Sequence, residues 1–219
     1  MLLAIYGAGG LGREVLELAG MINSAQKRWD GYVFVDDADI TEVIHGCRVL
    51  KLNELNKYAS VDNCEVVIAV GEPHVRALLW NKIKNMGLQL ATLIHPNVHI
   101  PESTNIAEGV VICSNAFISC DVRIHENAYI QPMAAVGHDS VIGAHTVLSI
   151  FSSIAGGCRI GSESYLAMSV PVKEGLSVGN SSIVGMGAVV LRDIPDNVIA
   201  LGNPARVMLK NEDKKVFKH

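Results

Sequence analysis

The run Val136-Gly137-His138-Asp139-Ser140 sets an imidazole beside a carboxylate, with a glycine leaving space at its flank. A histidine can take a proton from an attacking group near neutral pH, and an adjacent carboxylate can orient the ring and stabilise its protonated form. Eighteen residues further on stands Gly156, followed by Gly157. If the chain coils with that period, a bare backbone step lies over the histidine and its N–H can meet a developing oxyanion. That constellation suits transfer of an acyl group. Corner geometry alone is served equally well by a surface histidine without a role. A second group opens the chain, where Leu2–Tyr6 leads into Gly7-Ala8-Gly9-Gly10-Leu11-Gly12. Glycines at this spacing, between a strand and a helix, let the backbone approach a phosphate that the helix N-terminus attracts. Asp36 and Asp37 close the next apolar run, where carboxylates can accept hydrogen bonds from a ribose or a base.

These groups need rigid elements to hold them, and the second half of the sequence specifies one. From Ile100 to Val190 every sixth residue is aliphatic, passing through Ile112, Ile124, Val136, Leu148, Ile160, Val172 and Val184. A small or β-branched residue stands two places before many of them, as at Thr104, Ala116, Ser140, Ser152 and Ser164. Sandwich strands and their turns vary in length, so a fixed period of six over this span excludes that alternative. Six residues make one short strand and a corner, and three such units close a triangular coil whose aliphatics point inward. Coils stack about 4.8 Å apart, each covering the exposed backbone of the last. The same prism serves acyltransferases, metal-dependent hydratases and inert scaffolds, so the repeat alone leaves function open.

The first ninety-odd residues predict a small α/β unit. Leu2–Tyr6, Tyr32–Val35 and Val66–Val70 read as strands, and a helix follows the glycine turn with Val15, Leu18, Ala19 and Ile22 on one face. A second helix is expected to turn Val75, Leu78, Leu79, Ile83 and Met86 inward. The division expected is a nucleotide-sugar-binding unit over residues 1–95 and a β-helix with a C-terminal tail over 96–219. Only one mononucleotide-sized half precedes the repeat, which argues against a dinucleotide-dependent oxidoreductase.

Composition excludes several classes. The 219 residues carry a net charge of −4 and no basic run before the tail of Lys210, Lys214, Lys215 and Lys218, which reads as a solvated end, so nucleic acid is not an expected partner. No apolar stretch approaches the length of a membrane span, and the N-terminus carries no basic segment ahead of an apolar one, so no signal peptide or anchor is expected. The five cysteines form no CxxC pair and read as reduced thiols of a cytoplasmic protein. The histidine spacings lack the HxxxxH pair that a metal-dependent hydratase of this shape uses, so no metal is expected.

The hexapeptide prism, the Gly-His-Asp step, the Leu93-Ile94-His95-Pro96 junction and the closing Gly202-Asn203-Pro204-Ala205-Arg206-Val207 together resemble the bacterial hexapeptide-repeat sugar acetyltransferases. The opening Gly7-Ala8-Gly9-Gly10-Leu11-Gly12-Arg13-Glu14 and Asp36-Asp37 are similar to one group within it, which holds sialic acid O-acetyltransferases and nucleotide-amino-sugar N-acetyltransferases. The resemblance implies a left-handed parallel β-helix, a homotrimer, and acetyl-CoA lying between neighbouring prisms. By it His138 is the general base and Asp139 its support; Gly156, Met168 and Met186 line the coenzyme. Gly7, Gly9, Gly10, Gly12, Asp36 and Asp37 hold the nucleotide of the acceptor. The expected reaction is direct N-acetylation of a nucleotide-linked 4-amino-4,6-dideoxyhexose in surface-glycan (lipopolysaccharide O-antigen) biosynthesis. Sialic acid O-acetylation is the alternative, and a non-enzymatic scaffold the second.

Overall fold

The computed structural model describes residues 1–38 and 43–217, with only the backbone at Asn56; Lys218 lies outside the described residues. The α/β unit runs β1 (Leu2–Tyr6), α1 (Gly10–Gln26), β2 (Gly31–Val35), β3 (Val43–Ile44), β4 (Cys47–Leu50), β5 (Cys64–Ile68), α2 (Pro73–Asn85) and β6 (Gln89–Leu90). These strands form one sheet in the order β3-β4-β2-β1-β5-β6, parallel except for the β3–β4 pair. β1 is buried along nearly its whole length because α1 covers one side of the sheet and α2 the other.

The short strand β7 (Leu93–Ile94) then pairs with Val111–Ile112 and starts a parallel β-helix. Its two-residue rungs stack on three faces. Face I carries Val111–Ile112, Tyr129–Ile130, Val147–Leu148, Tyr165–Leu166 and Ile183–Val184. Face II carries Phe117–Ile118, Ala135–Val136, Ser153–Ile154 and Pro171–Val172. Face III carries Asn105–Ile106, Arg123–Ile124, Val141–Ile142, Arg159–Ile160 and Ser177–Val178. Rungs on one face lie eighteen residues apart, and the aliphatic of each hexad falls in a single buried cluster, as the period predicts. Burying one such side chain contributes roughly 1.5–3 kcal/mol, against about 1 kcal/mol for a typical hydrogen bond, so the aliphatic column sets the phase of the coil.

The small residues before the aliphatics stitch the corners. Ser140 Oγ donates to Ala155 O at 3.0 Å and accepts the Cys158 N–H at 3.2 Å. Thr146 and Ser164 repeat the arrangement with Gly161 O and Gly179 O. Most corners also hold one residue at positive φ, among them Asn115, Asn127, Asp139 and His145. Beyond Val190 the spacing falls to sixteen between Val178 and Ile194, and an antiparallel pair, Val198–Leu201 with Arg206–Lys210, closes the stack.

The two units join along face I and the corner between faces III and I. Residues of α1 share a cluster with Val111, Tyr129, Val147 and Tyr165. Arg76 of α2 is fully buried at the join, which corrects the expected helix face: Val75 and Leu78 are exposed, and Pro73, Arg76, Ala77 and Ile83 point in. All five N–H groups of the Arg76 guanidinium are used, on the carbonyls of Ile68, Val70 and Asn127 and on Asn127 Oδ1, at 2.6–3.0 Å. The cation also lies 5.3 Å from the Tyr129 ring centre. Burial pushes its pKa down to about 10, so it stays charged at neutral pH. Asn127 Nδ2 donates back to Arg76 O and to His145 Nδ1, so His145 must accept there; burial first, and the Arg76 charge second, hold its pKa below the ordinary histidine value.

The C-terminal tail differs from the solvated end expected. Val216 and Phe217 dock on Glu72 through their backbone N–H groups. Among the described residues no helix is long and apolar enough to cross a membrane, and the five cysteines are unpaired.

Replacing Arg76 by Ala strands the buried carbonyls of Ile68 and Asn127 and the half-buried one of Val70, at about 1–3 kcal/mol for each buried group. Arg76→Ala is therefore expected to lower unfolding free energy by at least about 3 kcal/mol in urea titration. Arg76→Lys, with three donors for five positions, is expected to fall between it and the wild type.

Candidate active site

His138 sits at the corner between faces II and III, where the chain leaves Ala135–Val136 for Val141–Ile142. Its Nδ1 is 2.8 Å from Asp139 Oδ2, and both side chains are largely exposed, at 64% and 67%. With Nδ1–H donating to the carboxylate, Nε2 carries the lone pair and can take a proton. The coil above contributes the second half of the arrangement. Gly157 N donates to His138 O at 2.7 Å, which sets Gly156 over the ring. A Cβ on Gly156 would lie 2.6 Å from both Cε1 and Nε2, so only a glycine leaves this imidazole in place. A Cβ on Gly137 would in turn lie 2.6 Å from Gly156 N, so the flank of that amide is bare. Among the described residues the Gly156 N–H meets no acceptor. A base and a free amide donor thus share one edge. Further up that edge stand Glu174 and Arg192; below His138 lies Cys120, whose carbonyl accepts the Asp139 N–H.

Met168 and Met186 are not brought to this edge. They occupy the corner between faces I and II, one face away, where both are exposed. His145 lies at the third corner, engaged with Asn127 and packed edge-on against Trp80. Among the described residues no three His, Cys, Asp or Glu side chains are arranged to hold a metal ion.

The glycine turn forms as its spacing predicts. Gly7 has φ +115° and its missing Cβ makes room for Ala69 O, while a Cβ on Gly12 would stand 1.9 Å from Gly7 O. Gly9 faces open space, a Cβ on Gly10 would meet only the Arg13 guanidinium at 3.9 Å, and the first turn of α1 carries no acidic residue and no side-chain cap. The two aspartates are committed within the fold more fully than the sequence suggests. Asp36 accepts the Ala8 and Ala38 N–H groups at 2.9 Å, bracing the turn. Asp37 accepts from Tyr6 Oη at 2.6 Å and from Lys82 Nζ at 2.7 Å. The Lys82 hydrogen bond, and then Tyr6, hold the Asp37 carboxyl below its usual range; burial, and then Asp37, push Tyr6 up to about 12. Lys82, which sequence reasoning missed, lines a concavity with Asp37, Lys51 and Met86.

Within one chain the turn and the base stand apart. The α/β unit covers face I, and the edge between faces II and III is opposite that face.

Residues 2–83 match the family model described as the PglD N-terminal domain. A GDP-perosamine N-acetyltransferase of Escherichia coli O157:H7 is 29% identical over 158 residues, covering 68% of this chain and 67% of that protein. The crystal structure of PerB from Caulobacter crescentus in complex with CoA and GDP-perosamine superposes with a TM-score of 0.87 and 30% identity, covering 95% of this chain and 97% of that one. The acetyltransferase domain of PglB from Neisseria gonorrhoeae FA1090, in complex with acetyl coenzyme A, gives a TM-score of 0.88 and 29% identity over 94% and 98% of the two chains.

The glycine turn yields a paired test. Gly12→Ala drives a methyl into Gly7 O, and is expected to cost about 3 kcal/mol or more of unfolding free energy. Gly9→Ala meets nothing within 4 Å and is expected to stay within about 1 kcal/mol of wild type in the same denaturation series.

Proposed function

The chain belongs to the hexapeptide-repeat sugar acetyltransferases, and we propose that it moves the acetyl group of acetyl-CoA onto the amine of a nucleotide-linked amino sugar. The observation that carries this reading is the edge where His138, braced by Asp139, lies against the bare step at Gly156. The relatives that hold CoA with GDP-perosamine, or acetyl coenzyme A, support the pairing of substrates. The acceptor is a 4-amino-4,6-dideoxyhexose of surface-glycan biosynthesis.

In the reaction the amine lone pair attacks the thioester carbonyl and the new C–N bond forms. His138 Nε2 takes a proton from that nitrogen, and Asp139 at Nδ1 stabilises the imidazolium. The Gly156 N–H donates to the oxyanion. Collapse of the tetrahedral intermediate breaks the C–S bond, and the proton held on His138 returns to the departing thiolate. No covalent enzyme intermediate is needed.

Residues 1–95 hold the acceptor, with Gly7, Gly9, Gly10 and Gly12 at its phosphates and Asp36 and Asp37 framing the nucleoside. Residues 96–219 carry the transfer. Because turn and base lie on opposite sides of one chain, the acceptor held by one copy reaches the His138 of another, and a trimer of left-handed prisms is the assembly we infer. Exposed Phe117, Met133 and Phe151, on face II and its corner with face I, supply apolar surface for a neighbour to cover. On this reading Met168 and Met186, on that same corner, line the coenzyme from the adjacent prism. A cytoplasmic location follows from the nucleotide-linked substrate.

The test is a coenzyme A release assay against UDP-, dTDP- and GDP-linked amino sugars, with free and CMP-linked sialic acid alongside. Turnover of a nucleotide amino sugar is expected, with kcat lowered about 10²–10⁴-fold in His138→Ala and acceptor binding retained. Activity above about half of wild type in that variant would remove the base role. Turnover with sialic acid alone would reassign the acceptor. Gly156→Ala should cut kcat at least about tenfold with an unchanged melting temperature, since its methyl displaces the ring and shields the amide.

A further inference from the structure

The parallel sheet changes winding direction at β1, with β2 on one side and β5 on the other. In open α/β sheets a ligand binds outside the carboxyl ends of the strands at such a point. Here the crevice has the glycine turn on one wall and the loop after β5, through Gly71 and Glu72, on the other.

The C-terminal segment is held against that second wall and the neighbouring prism by three independent contacts. Glu72 accepts the Val216 N–H on Oε2 at 2.9 Å and the Phe217 N–H on Oε1 at 2.7 Å. Lys214 Nζ lies 3.9 Å from Glu163 Oε2, which also meets His74 Nδ1 at 2.9 Å. The Phe217 ring packs edge-on against Tyr165, with centroids 5.7 Å apart. Its place relative to the turn is fixed as well. A Cβ on Gly71 would be 3.3 Å from the Phe217 ring and 3.9 Å from Leu11, which belongs to the first turn of α1. Tail, loop and helix start therefore meet at one spot, around a concavity of about 420 Å³ that Glu72, His74, Lys215 and Phe217 help to line. Phe217 is about half exposed, and Lys215 is exposed without an ion-pair partner within 4 Å among the described residues. A merely solvated end would not occupy a carboxylate with two of its backbone donors.

We propose that residues 213–217 are a wall of the acceptor site, on which Phe217 offers an apolar face to the nucleoside and Lys215 a cation to the diphosphate. Glu72 is a positioning residue, acting through the strap it holds. The proposal rests on the nucleotide-linked acceptor inferred above.

Calorimetric titration of the full chain with GDP and with UDP tests the wall without requiring turnover. Phe217→Ala and Lys215→Ala are each expected to weaken the nucleoside diphosphate that wild type binds by about tenfold. Phe217→Trp should retain affinity, and Glu72→Ala should reproduce the loss of Phe217→Ala. In steady-state kinetics the acceptor KM should rise by the same factor, with kcat and the acetyl-CoA KM within about twofold. Unchanged nucleotide affinity in both Phe217→Ala and Lys215→Ala would overturn the proposal, as would a wild type that binds neither nucleotide. Weakened binding in a protein that acetylates none of the amino sugars would keep the wall and discard the transfer reaction; acetyl transfer with variant affinities unchanged would do the reverse.

Discussion

One constraint organises this molecule: each coil of the prism must satisfy its backbone N–H and carbonyl groups on the coils stacked against it, one eighteen-residue turn away. Strand N–H groups donate to carbonyls on the coil above, as Tyr129 to Thr146, and corner N–H groups to carbonyls on the coil below, as Gly157 to His138 and Gly175 to Gly156. Columns of side chains follow without further instruction. His138 lies under Gly156 because 156 is 138 plus one coil, and Asn127, His145, Glu163 and Ser181 line up at another corner for the same reason. Aliphatics hold the phase through burial, and the serines and threonines two places earlier hold the corners through hydrogen bonds. A one-residue slip would turn the aliphatic column outward and separate base from amide together. Stability and catalytic geometry thus share one register.

The α/β unit is fixed to this frame by a buried cation rather than by apolar packing alone. Taking a guanidinium out of water is costly, and among the described residues no carboxylate accompanies Arg76 to offset it. What compensates is completeness: five N–H groups, five acceptor contacts, and the face of Tyr129. An apolar contact tolerates sliding, whereas this set of bonds exists in a single pose. It therefore fixes α2, and with α2 the loop after β5, against the corner at Asn127. The crevice between the glycine turn and that loop inherits its position from that pose. The same corner column carries Glu163, which meets both His74 of α2 and Lys214 of the tail, so prism, helix and strap are tied at one level.

The hexad period, the glycine turn and the Gly-His-Asp step were legible because each is a local pattern with one physical solution. The features that were not legible depend on what an element packs against. A helix between a sheet and solvent buries a stripe of aliphatics; α2 lies between a sheet and a prism corner, so its buried stripe rotates to include Arg76 and leaves Leu78 outside. Nothing local marks that rotation. Asp36 and Asp37 sit at the strand end where acidic residues were expected, yet Ala8, Tyr6 and Lys82 already use them, and Lys82 reaches Asp37 from α2, 45 residues further along the chain. Met168 and Met186 stand at the corner between faces I and II, one face away from His138, because counting in sixes fixes level more readily than face. The tail reads as a solvated basic end until Glu72, more than a hundred residues away in sequence, is seen to hold it.

The exposure of the His138–Asp139 pair bears on how the site becomes competent. At 2.8 Å the hydrogen bond between the His138 ring and the Asp139 carboxylate is well formed, but both side chains are about two-thirds exposed in a single chain. Two unit charges about 4 Å apart interact by only about 1 kcal/mol in water and about 4 kcal/mol near an effective dielectric constant of 20. Most of the stabilisation that Asp139 can give to an imidazolium is therefore gained only when something excludes solvent from the edge. The same holds for the Gly156 amide, whose hydrogen bond to an oxyanion strengthens as water leaves. The chain's own α/β unit cannot do this, since it covers the opposite face. A second copy, seated against the exposed Phe117, Met133 and Phe151 and presenting its own glycine turn, would supply both the acceptor and the dry surroundings that the base needs. On this account assembly and substrate binding switch on the electrostatics that one chain holds in outline.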